Sequence, residues 1–89
     1  MGATINPQSV IELCRKLVQC KTLIGDEQAA ADLLGAEMQA LNYDQVIIDT
    51  NGSVVGVIEG GKPGPTLLFD SHIDTVGITS LESWRYPPF

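Results

Sequence analysis

His72 and Asp74 could together take part in metal chemistry, because they lie two residues apart directly after an apolar run. Side chains at positions i and i+2 of extended backbone point to the same side. An imidazole binds zinc through one nitrogen at about 2.0–2.1 Å, and a carboxylate commonly accepts from its other N–H. Alone, however, a solitary histidine is more often a hydrogen-bonded structural residue than a ligand. The neighbouring sequence is therefore needed to choose between a zinc ligand and a structural histidine.

The first helix is predicted over about residues 7–20. Asn6 is a good N-cap, and Pro7 suits the first helical position. Apolar and polar side chains then segregate onto opposite halves of a helical wheel. Cys14 and Cys20 fall on the apolar half, about 9 Å apart along the helix axis, which exceeds the reach of a disulfide. They are predicted to be free and buried, rather than a redox or zinc pair.

The second helix is predicted over about residues 27–41, and Asn42 can adopt the left-handed conformation that closes it. Glu37 falls inside the apolar stripe, where the sequence offers it no partner. The stripe predicted to be buried consists of Leu33, Leu34, Met38 and Leu41.

Three strands are predicted after the helices. Residues 45–49 and 53–59 flank an Asn-Gly turn, which is typical of a β-hairpin. Residues 66–70 are almost continuously apolar, as in a strand covered on both faces. The order helix, helix, strand, strand, strand predicts the α/β class, and specifically the N-terminal part of an incomplete three-layer α/β/α domain.

Composition excludes some function classes. The net charge is −6, and the five lysines and arginines are scattered, whereas binding to a phosphate backbone needs clustered cations. We therefore expect no nucleic-acid partner. No apolar run approaches the roughly 20 residues of a membrane span, and no signal peptide is evident. We expect no membrane association and a cytoplasmic location.

At this point the sequence resembles a known family. Residues 67–76 read Leu-Leu-Phe-Asp-Ser-His-Ile-Asp-Thr-Val, and Trp84 and Pro88-Phe89 follow. This is similar to the metal motif of the co-catalytic zinc family that includes aminoacylase, acetylornithine deacetylase, succinyl-diaminopimelate desuccinylase and glutamate carboxypeptidase. That motif is an apolar strand, Gly-His-x-Asp-x-Val and, about ten residues later, Trp and Pro-Phe.

The resemblance extends upstream through nearly the whole chain. Residues 18–27 are similar to the family's helix, loop and Gly-(Asp/Glu)-Glu segment, and residues 49–60 to its Asp-x-x-Gly-Asn-Val-x-Gly hairpin. Two positions depart from the pattern: Ser71 replaces the usual Gly before the histidine, and Ser53 replaces the Asn of the hairpin. Neither change affects the proposed ligand.

The resemblance implies that His72 is a zinc ligand and that Asp74 is a catalytic-site residue that orients His72 and tunes the metal. Trp84, Pro88 and Phe89 would form a wall beside the site, although ordinary core packing explains them equally well. The intact site would hold two zinc ions, with cobalt as an alternative metal. Its small-molecule or peptide substrates would be N-acyl amino acids or short peptides, cleaved at the amide bond.

Members of this family are several hundred residues long, and their other metal ligands and general base lie downstream of this motif. Residues 1–89 are therefore expected to be a partial catalytic domain, truncated after the first metal-ligand motif. Zinc sites need three or four protein ligands, so the isolated chain is expected to bind metal weakly and to be inactive. The alternatives are a non-enzymatic truncated domain and a small interaction module whose exposed sheet edge recruits a partner or a second copy.

Overall fold

The computed structural model describes residues 4–23, 25–78 and 80–89. The predicted loops at Ile24 and Thr79, like the first three residues, fall partly outside this description. The elements, in chain order, are α1 (Pro7–Gln19), α2 (Gln28–Ala40), β1 (Gln45–Ile48), β2 (Val54–Val57) and a short 3₁₀ helix (Leu81–Ser83). This is a small α/β arrangement, as predicted. No described helix has the length and apolar character that crossing a bilayer requires.

Helix α1 begins as its sequence predicts. The Asn6 side chain accepts a hydrogen bond from the Gln8 amide at 3.0 Å, and Pro7 occupies the first turn. The prediction that the two cysteines are free is confirmed, but the prediction that they are buried is wrong. Cys14 is exposed, and Cys20, the residue that caps α1, is half-buried. Helix α1 itself contains no buried residue. Its apolar face is uncovered in the described part of the chain.

Helix α2 packs against the hairpin through small residues. Its buried residues are Ala30, Ala31 and Gly35, and a Cβ added to Gly35 would lie 3.2 Å from the Cδ1 atom of Ile48. The predicted leucine and methionine stripe is instead half-buried, and Leu41 is exposed. The close approach of helix and sheet leaves larger side chains at the margin of the contact.

Two of the predictions for α2 concern Asn42, which follows the helix, and Glu37, which lies near its end. Asn42 has φ of 62°, which is the left-handed conformation expected after the helix. Glu37 is half-buried and lines a cleft of ≈ 260 Å³ together with Asn6 and residues of α1 as far as Lys16. Lys16 and Ser9 are among the polar residues that line this cleft with Glu37.

The predicted hairpin is confirmed. Strands β1 and β2 pair antiparallel in a register that runs from Gln45 opposite Val57 to Ile48 opposite Val54. In the turn, one carboxylate oxygen of Asp49 accepts from the amides of Asn51 and Ser53, both at 2.9 Å. The Asp49 side chain therefore closes the turn instead of extending the strand.

Residues 66–70 do not form the predicted third strand. Leu67, Leu68 and Phe69 are 78%, 83% and 87% exposed. A strand with two apolar faces requires a neighbouring strand and a layer on each side, and the described residues contain only the two-stranded sheet. The prediction of a buried strand at residues 66–70 is therefore wrong for the described structure, because neither a neighbouring strand nor a covering layer reaches this segment.

The overall dimensions show how much surface stays uncovered. The solvent-accessible surface is 7789 Å², whereas a compact monomer of 9.5 kDa exposes about 5,000 Å². The radius of gyration is 15.8 Å, compared with about 12 Å for a compact chain of this length. Helix α2 and the hairpin form the packed part, and the remaining segments extend from it.

Gly56 provides a test of this packing. A Cβ at Gly56 would lie 2.6 Å from a ring carbon of Tyr43 and 2.7 Å from the sulfur of Met38. We predict that Gly56→Ala lowers the free energy of unfolding by about 1–3 kcal/mol through overpacking, measured by urea denaturation. Gly61→Ala is the matched control, because a Cβ there meets nothing within 4 Å. Equal stability of the two variants would contradict this packing.

Candidate functional site

The structure brings the two side chains of the candidate metal motif together. The Nδ1 atom of His72 lies 2.9 Å from a carboxylate oxygen of Asp74 and 3.2 Å from the backbone carbonyl oxygen of the same residue. The His72 side chain is 83% exposed and that of Asp74 is 35% exposed. The two side chains therefore lie on the same side of the backbone, with the ring open to solvent.

This geometry determines which ring nitrogen is free. Both groups within reach of Nδ1 are acceptors, so in the neutral imidazole Nδ1–H donates a hydrogen bond to Asp74. The tautomer is assigned from these partners. The Nε2 atom then keeps its lone pair, which is the arrangement that a histidine ligand to zinc requires.

The backbone that carries the motif is held by the loop between α1 and α2. The Thr75 amide donates to the carbonyl oxygen of Thr22. The two threonine hydroxyls lie 3.2 Å apart, and the Thr75 hydroxyl is 3.3 Å from the same carbonyl oxygen. This contact could not be predicted from the sequence, because no helix, strand or turn pattern links two threonines 53 positions apart.

The aromatic and proline residues that follow the motif are only partly gathered near it. Phe89 lies beneath the ammonium group of Lys21, which is 5.2 Å from the ring centroid. Phe89 also lines a cleft of ≈ 230 Å³ together with residues 75–78, directly after the motif. Trp84, which is half exposed, and Pro88 are not among the residues that line this cleft. Among the three predicted wall residues, Phe89 is therefore the one that lies beside the motif.

The described residues supply only part of the ligands for the zinc that the sequence resemblance implies. Within residues 4–23, 25–78 and 80–89, no three His, Cys, Asp or Glu side chains gather so that they could hold a metal ion. The described chain does provide one imidazole with a free Nε2 atom and the carboxylate that orients it. These residues fit one candidate zinc ligand together with the carboxylate that orients it.

Sequence comparison finds partial relatives of this chain. It is 38% identical over 65 residues to the uncharacterized protein YgeY of Escherichia coli, a match that covers 72% of this chain and 15% of that protein. It is 29% identical over 80 residues to the succinyl-diaminopimelate desuccinylase of Hydrogenovibrio crunogenus, which covers 89% of this chain and 21% of the relative. A peptidase T-like protein of Rhizobium meliloti is 40% identical over 53 residues, a match that covers 58% of this chain and 13% of that protein.

These matches establish a distant and partial relationship. The chain resembles proteins named as desuccinylases and a peptidase T-like protein over most of its own length. It spans between 13% and 23% of the length of the curated relatives it matches. No family model matches the chain, and no solved structure matches it.

The contact between His72 and Asp74 can be tested in the metal-free chain. His72 is the sole histidine, so its ring nitrogens can be observed by ¹⁵N NMR without ambiguity. At a pH where the imidazole is neutral, we predict that Asp74→Ala lowers the ratio of the Nδ1–H to the Nε2–H tautomer several-fold, because the acceptor side chain is lost. Asp70→Ala, which removes a carboxylate before the motif, is the control. An unchanged ratio in Asp74→Ala would exclude an orienting role for this carboxylate.

Proposed function

We propose that this chain contributes the zinc ligand His72 and its orienting residue Asp74 to the two-zinc site of a metallohydrolase. The reaction is cleavage of the amide bond in N-acyl amino acids or short peptides, in the cytoplasm. The observation that carries the proposal is the 2.9 Å contact between His72 Nδ1 and the Asp74 carboxylate. Similarity to desuccinylases and to a peptidase T-like protein supports the reaction class.

In this proposal each residue has a defined task. Two zinc ions, or cobalt in their place, supply a water of lowered pKa and polarise the amide carbonyl when they are bound. His72 offers the Nε2 lone pair to one of them. Asp74 accepts a hydrogen bond from Nδ1–H, and this bond fixes the ring orientation and raises the basicity of Nε2.

The remaining ligands must be supplied by other residues. Zinc in proteins takes three or four protein ligands, and the chain contains a single histidine. We therefore propose that residues 1–89 act as one part of a three-layer catalytic domain, in which residues 66–70 pair as a buried strand. By itself, the chain binds zinc weakly and hydrolyses no amide at a measurable rate.

A chimeric enzyme tests this proposal. The aligned 80 residues of the Hydrogenovibrio crunogenus desuccinylase are replaced by their counterparts from this chain, and zinc-dependent desuccinylation is measured. We predict that the chimera is active and that His72→Ala abolishes the activity. Asp74→Asn should lower zinc affinity or activity by about 10–100-fold, the usual effect of losing a partner of a metal ligand.

The control variant of the chimera is Asp44→Asn. The carboxylate of Asp44 accepts a hydrogen bond from the Glu59 amide, so this change alters a structural carboxylate outside the motif. It should leave zinc affinity unchanged. Full activity and zinc content in the His72→Ala chimera would refute the assignment of His72 as a ligand.

A second candidate function is favoured by the exposed apolar segment at residues 66–70. In a small interaction module, this segment would add as a strand to the sheet of a partner. Unpaired extended backbone with apolar side chains on both faces also promotes pairing between identical chains. This candidate needs no metal.

Self-association distinguishes the second candidate. We predict that the chain forms dimers or larger species in sedimentation experiments at high concentration, and that Leu68→Lys shifts it to the monomer. Ile5→Lys, at an exposed apolar position outside the segment, should leave the association unchanged. A monomeric wild-type chain at high concentration would count against the interaction module.

A further inference from the structure

The peptide group between Asp74 and Thr75 is held from both ends. Its N–H donates to the carbonyl oxygen of Thr22. Its carbonyl oxygen, which belongs to Asp74, lies 3.2 Å from the Nδ1 atom of His72. A peptide group is rigid and planar, so fixing the N–H end also fixes the direction of the carbonyl oxygen. The loop before α2 is thereby connected to the imidazole through a single rigid unit.

The threonine side chains strengthen this connection. The Thr75 hydroxyl lies 3.2 Å from the Thr22 hydroxyl and 3.3 Å from the Thr22 carbonyl oxygen. Thr22 is 1% exposed and has the largest of the fully buried side chains. A buried hydroxyl needs a hydrogen-bond partner, and Thr75 provides it. We name this set of three contacts between Thr22 and Thr75 the threonine clasp.

The clasp lies where the motif has little other support. The residues before the motif form no strand in the described chain, and the imidazole itself is mostly exposed. The hydrogen bonds at Thr75 tie the motif to the loop between α1 and α2, where Lys21 and Leu23 also line a cleft with residues 75–78. We expect a change in the clasp to rotate the Asp74–Thr75 peptide group and so to move its carbonyl oxygen relative to Nδ1.

We propose that Thr22 and Thr75 are positioning residues that set the tautomer and orientation of His72 through the Asp74–Thr75 peptide group. This inference rests on the proposed function for its purpose, since the orientation presents Nε2 to a metal. The clasp acts in the metal-free chain, before any zinc is bound. Neither threonine touches metal or substrate.

The test uses the ¹⁵N-labelled full chain without metal, at a pH where imidazole is neutral. Thr75→Val and Thr22→Val each remove a hydroxyl of the clasp with little change of shape. Each should lower the ratio of the Nδ1–H to the Nε2–H tautomer roughly fivefold, the equilibrium equivalent of one net hydrogen bond. Thr75→Ser and Thr22→Ser keep the hydroxyl and should retain the wild-type ratio. The double valine variant should change the ratio no further than Thr75→Val alone, because both side-chain contacts of the clasp involve the Thr75 hydroxyl.

A merely structural role is excluded by a matched control. Ile48→Val removes a methyl group from the packing between the hairpin and α2, where Ile48 approaches Gly35, and should leave the tautomer ratio unchanged. The amide spectrum of each variant reports whether it is folded, and two independent sites keep the test decisive if one variant fails to fold. A wild-type ratio in a folded Thr75→Val or Thr22→Val chain overturns the proposal, as does an equal shift in Ile48→Val.

The result is separable from that of the chimera experiment. If His72 does not bind zinc in the chimera, the proposed function is refuted. The tautomer ratio of the metal-free chain would still test whether the clasp orients His72. An unchanged tautomer ratio in the valine variants, with zinc still bound through His72, would refute the clasp alone.

Discussion

An imidazole can bind a metal only through a nitrogen that carries no proton, and in this chain Asp74 determines which nitrogen that is. The carboxylate oxygen at 2.9 Å and the carbonyl oxygen at 3.2 Å are both acceptors for Nδ1–H. Because both belong to one residue, the conformation of that residue controls the ring. In the proposed site, the surrounding loop would act by holding this residue in place.

The packed part of the molecule is separate from this motif. Helix α2 lies close to the hairpin: an added Cβ would overlap Tyr43 and Met38 at Gly56 and would press against the Ile48 side chain at Gly35. This unit contains none of the predicted site residues. What joins it to the metal motif is the loop at Thr22, which connects the two helices and reaches Thr75. The motif is thus attached to the fold by the hydrogen bonds at Thr75 and by the cleft that Leu23 lines with residues 75–78.

Local features were predictable from sequence, and features that depend on distant residues were not. The N-cap at Asn6, the left-handed Asn42 and the Asn-Gly hairpin each follow from neighbouring residues, and each is present. The proximity of His72 and Asp74 follows from their spacing in the same way. The burial of Cys14 and the strand at residues 66–70 were predicted wrongly, because an apolar face is buried only when another element covers it. The clasp could not be predicted, since two isolated threonines carry no pattern.

The separation of the clasped residues along the chain has a consequence for the order of folding. The hairpin turn closes across four positions, from Asp49 to Ser53, whereas the clasp closes a loop of 53 positions. The entropy lost on closing the longer loop costs about 2 kcal/mol more. We therefore expect local contacts to form before the clasp, because non-local contacts are favourable only after the loop has closed. On this account, conditions that open the long loop should disorder the motif while the helix and hairpin remain folded.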